Sequence, residues 1–151
     1  MKIAIVGATG LVGSNIIQLC EKNFNDEVEY TLFASKSSEG KKIVINNSEY
    51  FVKELKKENI ETYDISLFSA GGERSKEYAK DFVNNGSFVV DNSSAFRMNE
   101  DVPLVVYGIN QNEITTDSKL ISNPNCTTMG LVMAFKPLHD AYTLRSMTPV
   151  A

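Results

Sequence analysis

Cys126 stands in "SNPNCTTMG", behind an Asn-Pro-Asn turn and ahead of a run patterned for a helix. A cysteine in the first turn of a helix meets unpaired backbone N–H groups and the positive end of the helix dipole. Both favour the thiolate, which is the nucleophilic form. Pro124 suits the first helical position, because the N–H it lacks would be unpaired there anyway. Asn125 and the local N–H groups are placed to face a developing oxyanion. The rival reading is a small apolar residue buried at a helix start, the usual fate of a free cysteine. On this pattern alone the two readings stand level. The only other cysteine, Cys20, fits the buried reading, since it shares an apolar helix face with Leu11, Val12, Ile16 and Leu19. The single histidine, His139, lies thirteen residues after Cys126. On one straight helix that is roughly 20 Å away, too far to serve the thiol as a base. It is read as structural or exposed.

Two further stretches carry chemistry. "GATGLVG" spaces Gly7, Gly10 and Gly13 three apart, directly after an apolar β-branched run. Gly7 permits a tight strand-to-helix turn, Gly10 lets backbone N–H groups approach a pyrophosphate, and Gly13 lets the helix pack closely on the strand. A glycine-rich turn without a ligand is the bland alternative. "DNSSAFRM" also follows a predicted strand. In it Arg97 is a planar cation suited to a carboxylate or phosphate, and Asn92, Ser93 and Ser94 are hydrogen-bonding groups with no apolar role. The alternative for Arg97 is a surface ion pair with Glu100 or Asp101.

The elements that must position these groups read as an alternation of strands and helices. Strands are predicted at "KIAIVG", "EVEYTLFAS", "DISLFSAGG", "FVVDNSS" and, more briefly, at "PLVVYGIN" and "KLISNPN". "KKIVINNSEYFVKEL" reads as a β excursion turning at Asn46-Asn47. Helices are predicted at "LVGSNIIQLCEKN", at "SKEYAKDFVNNGS" with Tyr78, Ala79, Phe82 and Val83 inward and Gly86 as the stop, and at "TTMGLVMAFKPLHDAY". "YTLRSMTPVA" starts like one more strand. The fold class is therefore α/β, a doubly wound, mostly parallel sheet with helices on both faces, and ligands in such sheets bind at the carboxyl ends of the strands.

At the end of the second predicted strand a site for NAD usually carries Asp or Glu. Here Ala34 and Ser35 take that place, followed by Lys36, Ser37, Ser38 and Lys41, a set that suits an added 2′-phosphate and so favours NADP over NAD. Glu39 works against this, and a solvated polar loop is the alternative. The totals agree with one soluble domain: 151 residues, 42% hydrophobic, 23% charged, net charge −4. The acidic balance argues against a nucleic-acid partner. No apolar run approaches a membrane span, and the N-terminus is too short for a signal-peptide core. Two distant cysteines make neither a disulfide framework nor a metal site, so no metal is expected and a reduced cytoplasmic setting is the default.

Taken together, "GATGLVG", "FASKSSEGK", "LFSAGG", "VVDNSSAFRM", "VPLVV…IN" and "SNPNCTT" resemble the aspartate-semialdehyde dehydrogenase family, in that family's order and over nearly the whole chain. The resemblance implies a Rossmann domain for NADP over residues 1–125, with residues 126–151 opening a catalytic and dimerisation domain. It implies a small-molecule substrate, β-aspartyl phosphate, in the pathway to lysine, threonine and methionine. The cysteine attacks it, phosphate leaves, and NADPH reduces the thioester to the semialdehyde. By motif, Cys126 is the nucleophile with Asn125 beside it, and Arg97 and Asn92 belong to the substrate or phosphate site. Gly7, Thr9, Gly10, Leu11, Val12 and Gly13 match the pyrophosphate loop, Ser35, Ser37 and Ser38 the cofactor's ribose side, and Ala70 and Gly71 the loop beside the nicotinamide.

The chain also departs from the family. The family often has Arg at Ser37, Pro-Glu at Tyr107-Gly108 and small residues at Glu73-Arg74. Its catalytic histidine, substrate arginine and sheet-covering C-terminal helix lie beyond residue 151. This chain is therefore expected to be nearly inactive alone, without a general base, and to leave an apolar sheet face open to self-association. Full-length members are expected to be homo-oligomers. A non-catalytic nucleotide-binding module is the alternative of another class. N-acetyl-γ-glutamyl-phosphate reductase shares the loop and the cysteine chemistry but fits "DNSSAFRM" and "NPNCTT" less well.

Overall fold

The computed structural model describes residues 1–24 and 27–148. The elements run β1 (Lys2–Val6), α1 (Leu11–Asn23), β2 (Glu29–Ala34), β3 (Lys42–Ile45), β4 (Ser48–Phe51), β5 (Lys53–Glu54), β6 (Ile65–Phe68), α2 (Gly72–Asn84), β7 (Phe88–Asp91), β8 (Leu120–Ser122) and α3 (Cys126–Tyr142). Six strands form one sheet in the order β5-β2-β1-β6-β7-β8. All neighbours in it are parallel. From β1 the chain goes to β2 on one side and later lays β6 on the other, so the carboxyl ends of β1 and β6 flank a topological switch point.

Register decides which residues face which layer. Ile3 lies beside Tyr30 and Ile65, and Ile5 beside Leu32 and Leu67. This face packs on α1 through Ile17 and Cys20, and on the hairpin through Ile45 and Val52. The intervening residues Ala4, Val6, Phe33, Phe68 and Val89 face α2 and meet Tyr78, Ala79 and Phe82. Phe82 is the hub of that side, edge-on to Phe33 and Phe68 and stacked on Tyr63.

The hairpin β3–β4 is the predicted β excursion, and Asn46 and Asn47 take φ of 48° and 63°, as a two-residue primed turn requires. The expected inward face of α1 is corrected. Gly13, Ile17 and Cys20 are buried, whereas Leu11, Val12 and Leu19 are exposed, Leu11 to 82%. The helix is rotated because the glycine loop must bring Gly13, not a side chain, against the strand. Beside those exposed residues Ile65, Leu67 and Val90 are only half-buried, so this part of the sheet face is open. α2 starts at Gly72, three residues before the expected Ser75, and Val83 is half-buried rather than buried. "PLVVYGIN" forms no strand. Leu104 makes one bridge to Ser122, and then Val106 and Asn110 close a turn through Val106 N–H to Asn110 Oδ1 (2.8 Å). Pro137 costs α3 one intrahelical bond, yet the helix runs on to Tyr142, where Thr143 ends it at φ 52°. Residues 143–148 form no strand, and the rest of that expected strand, 149–151, lies outside the described residues. No helix among the described residues is long and apolar enough to cross a membrane.

Candidate active site at the carboxyl edge of the sheet

All the singled-out motifs meet at one edge. Gly7 ends β1 with φ 92°, and the N–H groups of Gly7 and Ala8 both donate to Phe33 O, at 2.9 and 3.0 Å. Gly10 N–H closes the loop onto Gly7 O at 3.0 Å. Gly10 is also the N-cap of α1, with no side-chain cap, and the first helical bond is Ser14 N–H to Gly10 O. The N–H groups of Leu11, Val12 and Gly13 therefore have no intrahelical partner. Three such donors at a helix N-terminus fit a pyrophosphate.

Thr9 joins this loop to the end of β2, its hydroxyl donating to Ser38 Oγ at 3.4 Å. Ser35 and Ser37 pair their hydroxyls at 2.9 Å. A cleft of about 240 Å3 opens here between the glycine loop, Ala34 and Ser35 of the β2 end, and Ser69 and Ala70 of the β6 end. Leu55 and Arg74 complete it. Ser37 and Ser38 do not line it. Gly71, at φ 88°, turns the chain from β6 into α2. Val12 is not on this cleft. It lines a second groove with Ile16, Leu67, Val90, Asn92 and Asn123, so the glycine loop separates the two.

Arg97 does not pair with Glu100 or Asp101. Its Nε donates to Asn123 O at 2.8 Å and its Nη2 to Asn92 O at 3.3 Å. Asn123 also donates Nδ2 to Asn92 Oδ1 at 3.4 Å, and its backbone N–H donates to Asp91 O at 2.8 Å. Arg97 thus braces the "DNSSAFR" loop to the segment leading into Cys126. Two of its five N–H donors are spent on this, and the rest remain for an anion.

Cys126 is exposed and is the first residue of α3. Pro124 is not the first helical residue as expected. Asn125 is the N-cap, and its Oδ1 accepts from Thr127 N–H at 2.9 Å. A cap residue must leave the helical conformation, and Asn supplies the oxygen that Pro lacks. The oxyanion role expected of Asn125 narrows accordingly, because its oxygen and the Thr127 N–H satisfy each other. The N–H groups of Cys126 and Thr128 stay free of intrahelical partners. His139 is exposed in the last turns of α3, and Thr143 N–H caps its carbonyl at 2.7 Å. Among the described residues no group of three or more His, Cys, Asp or Glu is placed to hold a metal.

The two thiols should separate sharply in reactivity. Cys20 is 4% exposed, and burial pushes its thiol up from the usual range. Iodoacetamide should modify Cys126 first and Cys20 only after unfolding, at least about a thousandfold more slowly. Cys126→Ser should remove the fast phase. Equal rates at both thiols would refute the placement of Cys20.

Sequence reasoning missed Asn123, Leu55 and Arg74. Asn123 was legible as the first half of a doubled Asn around Pro124, whereas Leu55 and Arg74 reach the site only through strand order.

A family model described as "Semialdehyde dehydrogenase, NAD binding domain" matches residues 2–117. The aspartate-semialdehyde dehydrogenase of Aquifex aeolicus (strain VF5) is 47% identical over 142 residues, which are 92% of this chain and 42% of that protein. A structure of aspartate semialdehyde dehydrogenase II from Vibrio cholerae, complexed with ASA, superposes with a TM-score of 0.86 at 38% identity, over 93% of this chain and 46% of that one. The enzyme from Candida albicans, solved with NADP, gives a TM-score of 0.73 at 29% identity, over 95% of this chain and 48% of that one. The chain thus spans less than half the length of each. With the glycine loop, the parallel sheet and the family match over residues 2–117, the chain belongs to the semialdehyde dehydrogenase family, whose NAD-binding domain it carries, in the company of the aspartate-semialdehyde dehydrogenases.

Proposed function

We propose that the chain supplies the cofactor-binding and acyl-accepting part of an NADP-dependent aspartate-semialdehyde dehydrogenase. The observation that carries this is the Arg97 brace, which ties an anion-binding guanidinium to the backbone three residues before an exposed cysteine at a helix start. The substrate is an acyl phosphate, β-aspartyl phosphate. Cys126 Sγ bonds to the acyl carbon, the carbon–oxygen bond to phosphate breaks, and Arg97 holds the departing anion with its remaining donors. The free N–H groups of Cys126 and Thr128 face the oxygen that gains charge. When bound, the nicotinamide cofactor supplies the hydride that reduces the thioester. The carbon–sulfur bond then breaks, the thiolate returns and the aldehyde leaves. The NADP of the Candida enzyme and the uncharged Ala34-Ser35 strand end support NADP as the cofactor.

We read residues 1–125 as the nucleotide domain and 126–151 as the beginning of a second one. In support, α3 buries none of its side chains although it carries Leu131, Val132, Phe135 and Leu138. No histidine of this chain reaches Cys126, so one acylation without turnover is expected of it. Mixed with β-aspartyl phosphate and no cofactor, the chain should release up to one equivalent of inorganic phosphate. Cys126→Ser should release none, and Arg97→Ala should slow the burst about a hundredfold. Release that persists in Cys126→Ser sinks the nucleophile. Sustained NADP-dependent oxidation of aspartate semialdehyde by the chain sinks the missing base. A chain that binds NADPH yet gives no burst would be a nucleotide-binding module, the reading that the remote His139 favours.

A further inference from the structure

Among the described residues, the cleft at the ends of β2 and β6 has one charged residue on its wall, Arg74, the third residue of α2. No ion pair among the described residues engages its guanidinium. We infer that Arg74 reads the 2′-phosphate of the cofactor's adenosine ribose and so sets the preference for NADP over NAD. This rests on the nucleotide reading above. The ribose of a dinucleotide lies at the end of the second strand of such a sheet, which here is Ala34 and Ser35 on the same cleft. Ser35 and Ser37 offer hydroxyls there but no charge. A phosphate dianion drawn from water into a cleft needs a cation, and the planar guanidinium fork binds phosphate in two parallel hydrogen bonds. Lys36 and Lys41 are exposed and do not line the cleft. Arg74 also springs from a firmly seated helix, since Ser75, Tyr78, Ala79 and Phe82 behind it are buried. Its position is therefore held by packing rather than by a loop.

The test compares adenosine 2′,5′-bisphosphate with adenosine 5′-monophosphate, which differ by the 2′-phosphate alone, titrated calorimetrically into the chain. The parent should bind the bisphosphate more tightly. Arg74→Ala should weaken that ligand about 30-fold and the monophosphate less than about twofold, with unchanged circular dichroism and urea midpoint. Arg74→Lys should recover part of the loss. Equal weakening of both ligands would overturn the inference, pointing to contact with the adenine instead, and so would no weakening or a parent without preference. A parent that binds neither ligand overturns the nucleotide reading and Arg74's role with it.

Discussion

Gly13→Ala should leave little folded protein, while Gly10→Asp should fold at least as well as the parent and fail to bind NADPH. A Cβ on Gly13 would stand 2.0 Å from Gly7 O, 2.8 Å from Gly7 C and 2.9 Å from Ala8 Cα. All three are backbone atoms that no rotamer change can move. Gly7 is itself held by its bond to Phe33 O and by φ 92°, so relief must come from lifting α1 off the sheet. That uncovers Ile17 and Cys20. A cost of at least about 3 kcal/mol is expected, a large share of the roughly 5–15 kcal/mol that holds a domain together. In urea the midpoint should fall by more than about 1 M. Gly10 is the opposite case. Its backbone is extended at φ −81°, ψ 166°, and a Cβ would meet only Gly7 O at 3.4 Å. Aspartate there becomes a favourable N-cap for α1. Its carboxylate then occupies the donors that a pyrophosphate needs and adds a like charge beside it. About 2–4 kcal/mol of repulsion predicts roughly 30- to 1,000-fold weaker NADPH binding by fluorescence titration. A Gly13→Ala chain with the parent's midpoint would show that α1 does not sit as described. Undiminished binding by Gly10→Asp would move the phosphates elsewhere.

The contrast between these glycines shows what the sequence can carry. Spacing together with the preceding strand and the following helix offers Gly7, Gly10 and Gly13 as a candidate phosphate loop, because each performs a local task in one strand–turn–helix unit. The same holds for the Asn46-Asn47 turn and for the inward face of α2, where a 3.6-residue repeat meets a single sheet surface. Legibility ends where a residue's surroundings come from distant chain. Leu11, Val12 and Leu19 look like core by period, but Gly13 fixes the rotation of α1 and turns them out. β5 has only two residues and exists because β2 offers it an edge. Arg74 precedes the helix predicted from Ser75, and only the neighbouring of β1 with both β2 and β6 brings it to the cleft. Arg97 was recognisable as a cation at a strand end. Its brace to Asn123 was not, since that bond spans 26 residues and depends on β7 and β8 being adjacent.

Asp91→Ala should disable the Arg97 loop without touching the cysteine. Asp91 is fully buried at the end of β7, and its carboxylate serves two elements at once. Oδ1 accepts from Ser75 Oγ of α2 at 2.7 Å and from Ser93 N–H at 3.2 Å, and Oδ2 accepts from Ser93 Oγ at 2.7 Å. Ser93 Oγ in turn accepts from Ala95 N–H at 3.0 Å, so one buried anion organises the turn that sets Asn92 and Arg97. Alanine would leave three donors without an acceptor inside a closed site, at a cost of about 3–4 kcal/mol. Asn keeps the shape and one accepting oxygen, but its amide points a donor at a hydroxyl or N–H already donating, so about half that cost is expected. The functional consequence separates from the stability loss in the burst with β-aspartyl phosphate. The Asp91→Asn chain, still folded, should release phosphate more slowly while iodoacetamide modifies Cys126 at the parent's rate. If both rates fall together, the network supports α3 itself. If neither falls, Arg97 holds its place through Asn92 and Asn123 alone, and the buried carboxylate serves only to pin α2 to β7.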